Sequence, residues 1–452
     1  MIAFQRAVVV NAVALLLLGC LSSTRAADLW PQFRGPSGDG IVVGQQPPVQ
    51  FEKSDAAWRT EIPGRGWSSP VVADGVIWMT TAIEVQPTPK EREAILAESG
   101  IEKKKYKQVA VVKAIDLRLV AVDLSSGKLL RDLQLTSIDK PDAIHTLNSY
   151  ASPTPVIDGA FIYCHFGTYG TFCLDRAGCL NSDTDPIRWQ RRFPLAHSVG
   201  PGSSPFIDGP RIVLIQDGTD RRYVVALDKR TGETVWETER PEMDAPKGDL
   251  KKAFCTPIKV TDASGRDQLI CLASHWMIAY QPETGEELWK LNHGKGYSIV
   301  PRPVFADDVL YFSTGFGKPQ LWAVRADGEG DVTDTHVQWT VSRGIPAKPS
   351  PLIHDGLVYV VDDNGVASCF DAANGDQLWK HRLGGDFSAS PTLAGERLYF
   401  ANHEGEIFVV QPGKSFELIE TNTIDEKIMA SPVFVQDALV VRSENALYRF
   451  DH

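Results

Sequence analysis

Apolar positions in this chain fall into short runs rich in Val, Ile, Leu, Tyr and Phe, each cut off by Gly, Asp, Asn or Ser. Runs of this kind, bounded by turn residues, predict β-strands. The stretch from Ser350 to Lys380 shows the grammar. Ser350-Pro-Leu-Ile353, Leu357-Val-Tyr-Val-Val361, Val366 to Phe370 and Gln377 to Lys380 read as four successive strands. Asp355-Gly356, Asp363-Asn-Gly365 and Asn374-Gly375 read as the turns between them, where Gly supplies φ > 0 and Asp or Asn bonds its own backbone.

The same phrase recurs. Ala226-Leu-Asp228-Lys-Arg-Thr231-Gly232-Glu-Thr-Val-Trp236 has counterparts at Ala279…Thr284-Gly285…Trp289 and Cys369-Phe-Asp371…Asn374-Gly375…Trp379, with a degraded copy at Ala121-Val-Asp123…Ser126-Gly127…Leu130. Each unit opens with a Pro just before an apolar strand: Pro70, Pro155, Pro205, Pro257, Pro303, Pro351, Pro391 and Pro432. Pro at a strand start costs no ladder bond. These eight anchors, spaced 40 to 52 residues apart except for a first gap of 85, predict an all-β, eight-bladed β-propeller of four-stranded antiparallel blades.

The two ends complete each other. From Ala430 to His452 there is room for only three strands. Trp58 lies 12 residues before Pro70, as Trp339 lies 12 before Pro351 and Trp379 lies 12 before Pro391. The segment Asp55 to Ile62 is therefore expected to supply the missing fourth strand and close the ring, which also removes the open sheet edges. The propeller then runs over 55–452, preceded by a Pro/Gly-rich irregular segment at 27–54, with Trp30 and Phe33 as anchors. The 85-residue gap holds an insertion at about 85–113. Its Pro89-Lys-Glu-Arg-Glu-Ala-Ile-Leu-Ala-Glu-Ser-Gly100 predicts a charged helix off the rim, either a solvated loop or a partner-docking element.

Composition adds compartment and exclusions. The net charge of −11 argues against a nucleic-acid partner, which requires a basic surface. Arg6 followed by the apolar run Ala7 to Leu18 reads as a signal peptide over 1–26, cleaved after Thr24-Arg25-Ala26. Alternatively Leu17-Leu18-Gly19-Cys20 acts as a lipobox, with 1–19 removed and Cys20 lipidated. Both place the protein outside the cytoplasm, in the periplasm or cell envelope. Seven cysteines are present. Cys164 and Cys173 flank a hairpin whose centre between Thr168 and Tyr169 would set them opposite, as a candidate disulfide; the competing reading makes them small buried residues.

The phrase Ala-x-Asp-x-x-Thr-Gly-x-x-x-Trp resembles the repeat of PQQ-type (quinoprotein-type) eight-bladed propellers, a group that includes quinoprotein alcohol dehydrogenases and the assembly lipoprotein BamB. Trp30-Pro-Gln-Phe-Arg-Gly-Pro and Asn148-Ser-Tyr-Ala-Ser-Pro-Thr-Pro155 resemble exported PQQ-like repeat proteins of planctomycete-type bacteria. The resemblance covers roughly Trp30 to His452 and implies the fold; activity does not travel with it. In the dehydrogenases the quinone lies between a Trp and an adjacent Cys-Cys disulfide, with Ca²⁺ and an Asp base. Here no two cysteines are adjacent, no haem-attachment Cys-x-x-Cys-His occurs, and no catalytic Asp can be mapped.

Candidate chemistry is sparse. Asp327, Glu329, Asp331 and Asp334 form an oxygen-rich, glycine-bearing loop of the kind hard cations favour, although the full calcium-loop pattern is missing and an elaborated acidic turn is the competing reading. No Gly-x-Ser-x-Gly elbow and no phosphate loop occur, and His145, His165 and His275 read as packing or hydrogen-bonding residues. In a propeller the residues just before the repeat Pro face the axis. Arg302 and Lys348 there suggest a positive mouth for an anionic ligand or acidic peptide, with Tyr150, Trp276 and Tyr297 as aromatic walls; pairing of both cations with nearby Asp residues is the competing reading. The functional expectation is a non-catalytic, monomeric, exported scaffold that binds a protein or envelope component without a cofactor, similar to BamB. A PQQ- and Ca²⁺-dependent oxidoreductase and a glycan or small-anion binder are the alternatives.

Overall fold

The computed structural model describes residues 28–452; both signal-peptide exits and Cys20 lie outside them. The chain forms eight antiparallel sheets of four meandering strands. Their innermost strands, in chain order, are Val71–Ala73, Val156–Asp158, Phe206–Asp208, Ile258–Thr261, Val304–Ala306, Leu352–His354, Thr392–Ala394 and Val433–Val435, and they define blades 1 to 8. Two blades carry a fifth, parallel strand. Ile41–Val42 lies against the inner strand of blade 7, and Gly330–Asp331 covers the outer strand of blade 4. Among the described residues no helix is long and apolar enough to cross a membrane.

The recurring turn is the joint between blades. In blade 3 the Asp228 carboxylate accepts the Arg230 and Thr231 N–H groups, which holds it below the usual carboxylate range. Gly232 then takes φ +74 beside Trp189 of blade 2: a Cβ at Gly232 would lie 2.7 Å from the indole. The indole N–H of Trp189 donates to the Lys229 carbonyl in the same turn, at 3.0 Å. The arrangement repeats around the ring. Trp236 donates to Pro282, Trp339 to Ala372, Trp379 to Gly413 and Trp58 to Leu124. Gly285, Gly375 and Gly127 are pressed against Trp236, Trp339 and Trp58. The Trp supplies apolar area and one donor, and the glycine supplies both the positive φ and the space.

Ring closure occurs as expected. Trp58–Glu61 pairs antiparallel with Ala446–Phe450 as the outer strand of blade 8. A polar latch reinforces it: Glu426 receives Arg59 and Lys53, each at 3.2 Å, and the hydroxyls of Ser443 at 2.6 Å and Tyr448 at 2.5 Å.

The disulfide expectation is corrected. A 3-10 turn at Gly167–Tyr169 shifts the hairpin by one residue, so Tyr163 faces Cys173 and Cys164 faces Phe172. Cys164 therefore packs into the blade 1–2 core and Cys173 into the blade 2–3 core. Both are free and buried, as are Cys179, Cys255, Cys271 and Cys369.

The insertion contains the expected helix, Pro89–Glu98, with Thr88 and Glu91 forming a reciprocal capping box. A 3-10 turn at Lys103–Gln108 follows, and Val109–Ala110 pairs with Ile144–His145, which folds the segment over one end of the axis.

Candidate functional site

The residue before each repeat Pro faces the axis. Seven of the eight are hydroxyl residues: Ser69, Thr154, Ser204, Thr256, Ser350, Ser390 and Ser431. The eighth is Arg302. The backbone N–H of one blade donates to the hydroxyl oxygen of the next, in two arcs. Ser69 donates to Thr154, Thr154 to Ser204 and Ser204 to Thr256; Arg302 donates to Ser350, Ser350 to Ser390 and Ser390 to Ser431, all at 2.9–3.2 Å. The inner strands leave these N–H groups without a ladder partner, and a short hydroxyl side chain is what satisfies them. Sequence reasoning placed these positions on the axis but gave their hydroxyls no role. The recurrence of Ser or Thr before seven of eight prolines was the available signal.

Below this ring the axis is closed by the protein's own N-terminal segment. Trp30 bonds Val72 of blade 1 in both directions, and Pro31 accepts from Ile157 of blade 2. The segment then crosses to blade 7, where Gly40 accepts from Leu393. Two fully buried arginines pin the crossing. Arg34 donates to the carbonyls of Asp39, Pro351 and Pro391. Arg302 donates to the carbonyls of Phe33, at 2.8 Å, and Pro257, at 3.0 Å. Burial lowers both guanidinium pKa values, to about 10 for Arg34 and about 9 for Arg302, so both remain charged at neutral pH. Gly38 sits where a Cβ would strike Arg302. The Trp-Pro-Gln-Phe-Arg-Gly-Pro phrase is thus a plug, and Arg302 belongs to its underside rather than to a mouth.

Above the ring lies a cup of about 760 Å³. Phe33 forms part of its floor, and Trp67, Phe254, Tyr297 and Phe316 give it aromatic walls. The insertion contributes Ile101, Glu102, Lys105 and Gln108 as a lid. Lys105 reaches Asp249 at 3.7 Å and Lys247 reaches Glu102 at 4.0 Å, which ties the lid to the loop between blades 3 and 4. Lys252 is buried on this wall. It donates to the His197 carbonyl at 2.8 Å and to Ser198 and Asp249, and burial lowers its pKa. Lys348 also faces the cup, 3.5 Å from Asp363. Four lysines, Lys105, Lys247, Lys252 and Lys348, stand here against three carboxylates, Glu102, Asp249 and the Lys348 partner Asp363, which leaves the cup with a small excess of positive charge within an acidic protein.

The remaining candidate residues do not all meet here. Tyr297 lines the cup beside Phe316. Tyr150 does not; it is fully buried against Tyr169, its hydroxyl donating to Asp142 at 2.8 Å. Trp276 sits outside the cup, donating to Glu242 with Lys290 over its ring. Of the two proposed cations, Lys348 pairs with an Asp and Arg302 with carbonyls. Asn148, the start of the second family phrase, is structural: its amide bridges the carbonyls of Val199 and Pro201. Buried His165 bonds Thr171, and burial lowers its pKa to about 3.

The four acidic residues at 327–334 are exposed, and two of them are employed separately. Asp327 meets Arg325, Asp331 caps Thr333, and Gly330–Asp331 extends blade 4. Among the described residues no group of three or more His, Cys, Asp or Glu side chains is placed to hold a metal ion. The cup's two carboxylates are both committed to lysines, so its donor set does not fit a calcium-bound quinone.

The family model described as outer membrane protein assembly factor BamB matches residues 41–238, 174–315 and 273–451. The chain belongs to this PQQ-repeat, BamB-type propeller family. Family relatives include BamB of Burkholderia pseudomallei, 30% identical over 25% of this chain and 29% of that protein, and BamB of Yersinia pestis, 24% identical over 44% and 51%. A tetrathionate hydrolase of Acidithiobacillus ferrooxidans is 25% identical over 40% of this chain and 37% of its own. The chain thus spans about a third to a half of these curated relatives. BamB from Moraxella catarrhalis superposes with a TM-score of 0.52 at 14% identity, over 76% of this chain and 98% of that one. A europium-containing methanol dehydrogenase superposes with a TM-score of 0.61 at 11% identity, over 94% and 91%. At these identities the likeness is one of fold.

Proposed function

We propose that the protein is an exported, envelope-resident binding scaffold of the BamB type, which holds a protein or other envelope component at its lidded mouth and does no chemistry of its own. The observation that carries this reading is the inequality of the two ends of the axis. One is sealed by the N-terminal plug. The other is built from segments outside the repeat: the insertion and the loop between blades 3 and 4. Elaborated loops on one face of a regular scaffold are where binding is displayed. The family's description as an outer-membrane assembly factor and the signal-like N-terminus support the envelope setting.

The insertion joins two strand ends that already face each other, since Val85 pairs with Ala114. Residues 86–113 can therefore be replaced by a two-residue Asn-Gly turn. The shortened protein should keep the β-sheet signature of its circular dichroism spectrum, losing only the contribution of the Pro89–Glu98 helix, and should still unfold cooperatively in urea, while losing its partner in cells. Unchanged partner recovery would refute the reading. The quinoprotein alternative has the fold likeness but not the ligand donors; dye reduction after loading with PQQ and Ca²⁺ would restore it.

A further inference from the structure

The hydroxyl ring carries more than its structural role. Thr154, Ser204, Thr256, Ser350, Ser390 and Ser431 each accept a neighbour's N–H. Each hydroxyl still has its own hydrogen to give, and among the described residues none of the six donates to a protein acceptor. All six line the cup. The site therefore offers donors that need an acceptor. Beneath it stand the two buried guanidiniums of Arg34 and Arg302. Their Nε–H groups have no partner among the described residues, and Asp39 is the one carboxylate that acts on them. Positive charge in a poorly solvated place is costly unless an anion balances it.

Donors without acceptors, above two cations that share one carboxylate, select one kind of guest. We propose that the floor of the cup is an oxyanion site, which takes the phosphate or sulfate group of a small organic ligand whose carbon skeleton lies above it against Trp67 and Tyr297. A cup of about 760 Å³ is far larger than a bare ion needs and suits a compact organic molecule. A neutral sugar, which brings as many donors as acceptors, matches the ring less well. The cup lysines favour entry of the same charge, so binding should weaken as salt rises. This site stands whether or not a protein docks at the lid.

Isothermal titration of the purified full-length protein tests it, with glucose 6-phosphate, inorganic phosphate, inorganic sulfate and, as the neutral control, glucose. Glucose 6-phosphate should bind with a Kd below about 1 mM, and glucose should give no saturable heat. Equal affinity for inorganic phosphate would support the site with a free anion as its guest. Ser69→Ala is the informative variant: the Ser69 hydroxyl lines the ring yet accepts no backbone N–H, so its loss orphans nothing. It should weaken binding about 10-fold, the value of one hydrogen bond to a charged group, with an unchanged urea midpoint. Lys348→Gln should weaken binding and flatten its salt dependence. Absent heats, glucose binding as tightly as its phosphate, an affinity unchanged in Ser69→Ala, or a hexaglutamate peptide outcompeting glucose 6-phosphate would each overturn the assignment.

Discussion

If the Trp–Gly contact is the joint between blades, adding one methyl group to it should cost more than the backbone term alone. Gly375 and Gly356 separate the two costs within blade 6. Both have positive φ, +77 and +70. A Cβ at Gly356 would meet nothing within 4 Å, whereas one at Gly375 would lie 2.7 Å from the Trp339 ring of blade 5. Gly356→Ala should therefore cost about 1 kcal/mol, the penalty for a left-handed alanine. Gly375→Ala should cost about 2–4 kcal/mol, because overpacking adds about 1–3 kcal/mol. Urea unfolding followed by far-ultraviolet circular dichroism reads the difference as a midpoint shift at constant slope. A double-mutant cycle gives the decisive arm. In a Trp339→Ala background the ring is gone, and Gly375→Ala should fall to the cost of Gly356→Ala. Equal costs for the two glycines in the parent protein, or an additive cycle, would refute the joint.

Two further outcomes follow from the closure and the cysteines. Hydrogen bonds from Ser443, Tyr448, Lys53 and Arg59 outweigh the effect of burial at Glu426 and depress its pKa to about 2. A depressed carboxylate stabilises the fold above its unfolded pKa and loses that contribution as pH falls towards the folded value. Glu426→Gln should thus cost on the order of 2 kcal/mol at pH 7 and much less at pH 3; a penalty independent of pH would place the stabilisation elsewhere. Alkylation with iodoacetamide in denaturant, without reductant, should label both Cys164 and Cys173 in full by mass spectrometry, while the same treatment of the folded protein should leave them unlabelled. A peptide pair that appears only after reduction would restore the disulfide.

The fold was legible because it is written eight times. Pro before each inner strand repeats eight times at a blade-length spacing, the Gly–Trp phrase recurs in several of the blades, and Trp58 revealed the closing strand by its distance from Pro70. The site was less legible, for two physical reasons. Side chains such as Tyr150 and Trp276 were assigned by type, but burial against Tyr169 and a bond to Glu242 decide where they go, and those partners are distant in sequence. Arg302 looked like a mouth cation because its environment comes from Phe33, 269 residues away. The one-residue slip between Cys164 and Cys173 came from a 3-10 turn that hairpin arithmetic does not anticipate. The lid was recognised as an inserted helix, but its direction depends on the short pairing of Val109–Ala110 with Ile144–His145, too brief to stand out in the sequence.

The most direct test of the central claim, a scaffold that binds through one end of its axis, is site-specific photo-crosslinking in cells. A crosslinking residue at exposed Leu147 or Lys104 on the lidded face should yield one reproducible adduct, and the same residue at Val43, which is 79% exposed beside the plugged end, should yield none. Adducts confined to Val43, or none at either face, would contradict it.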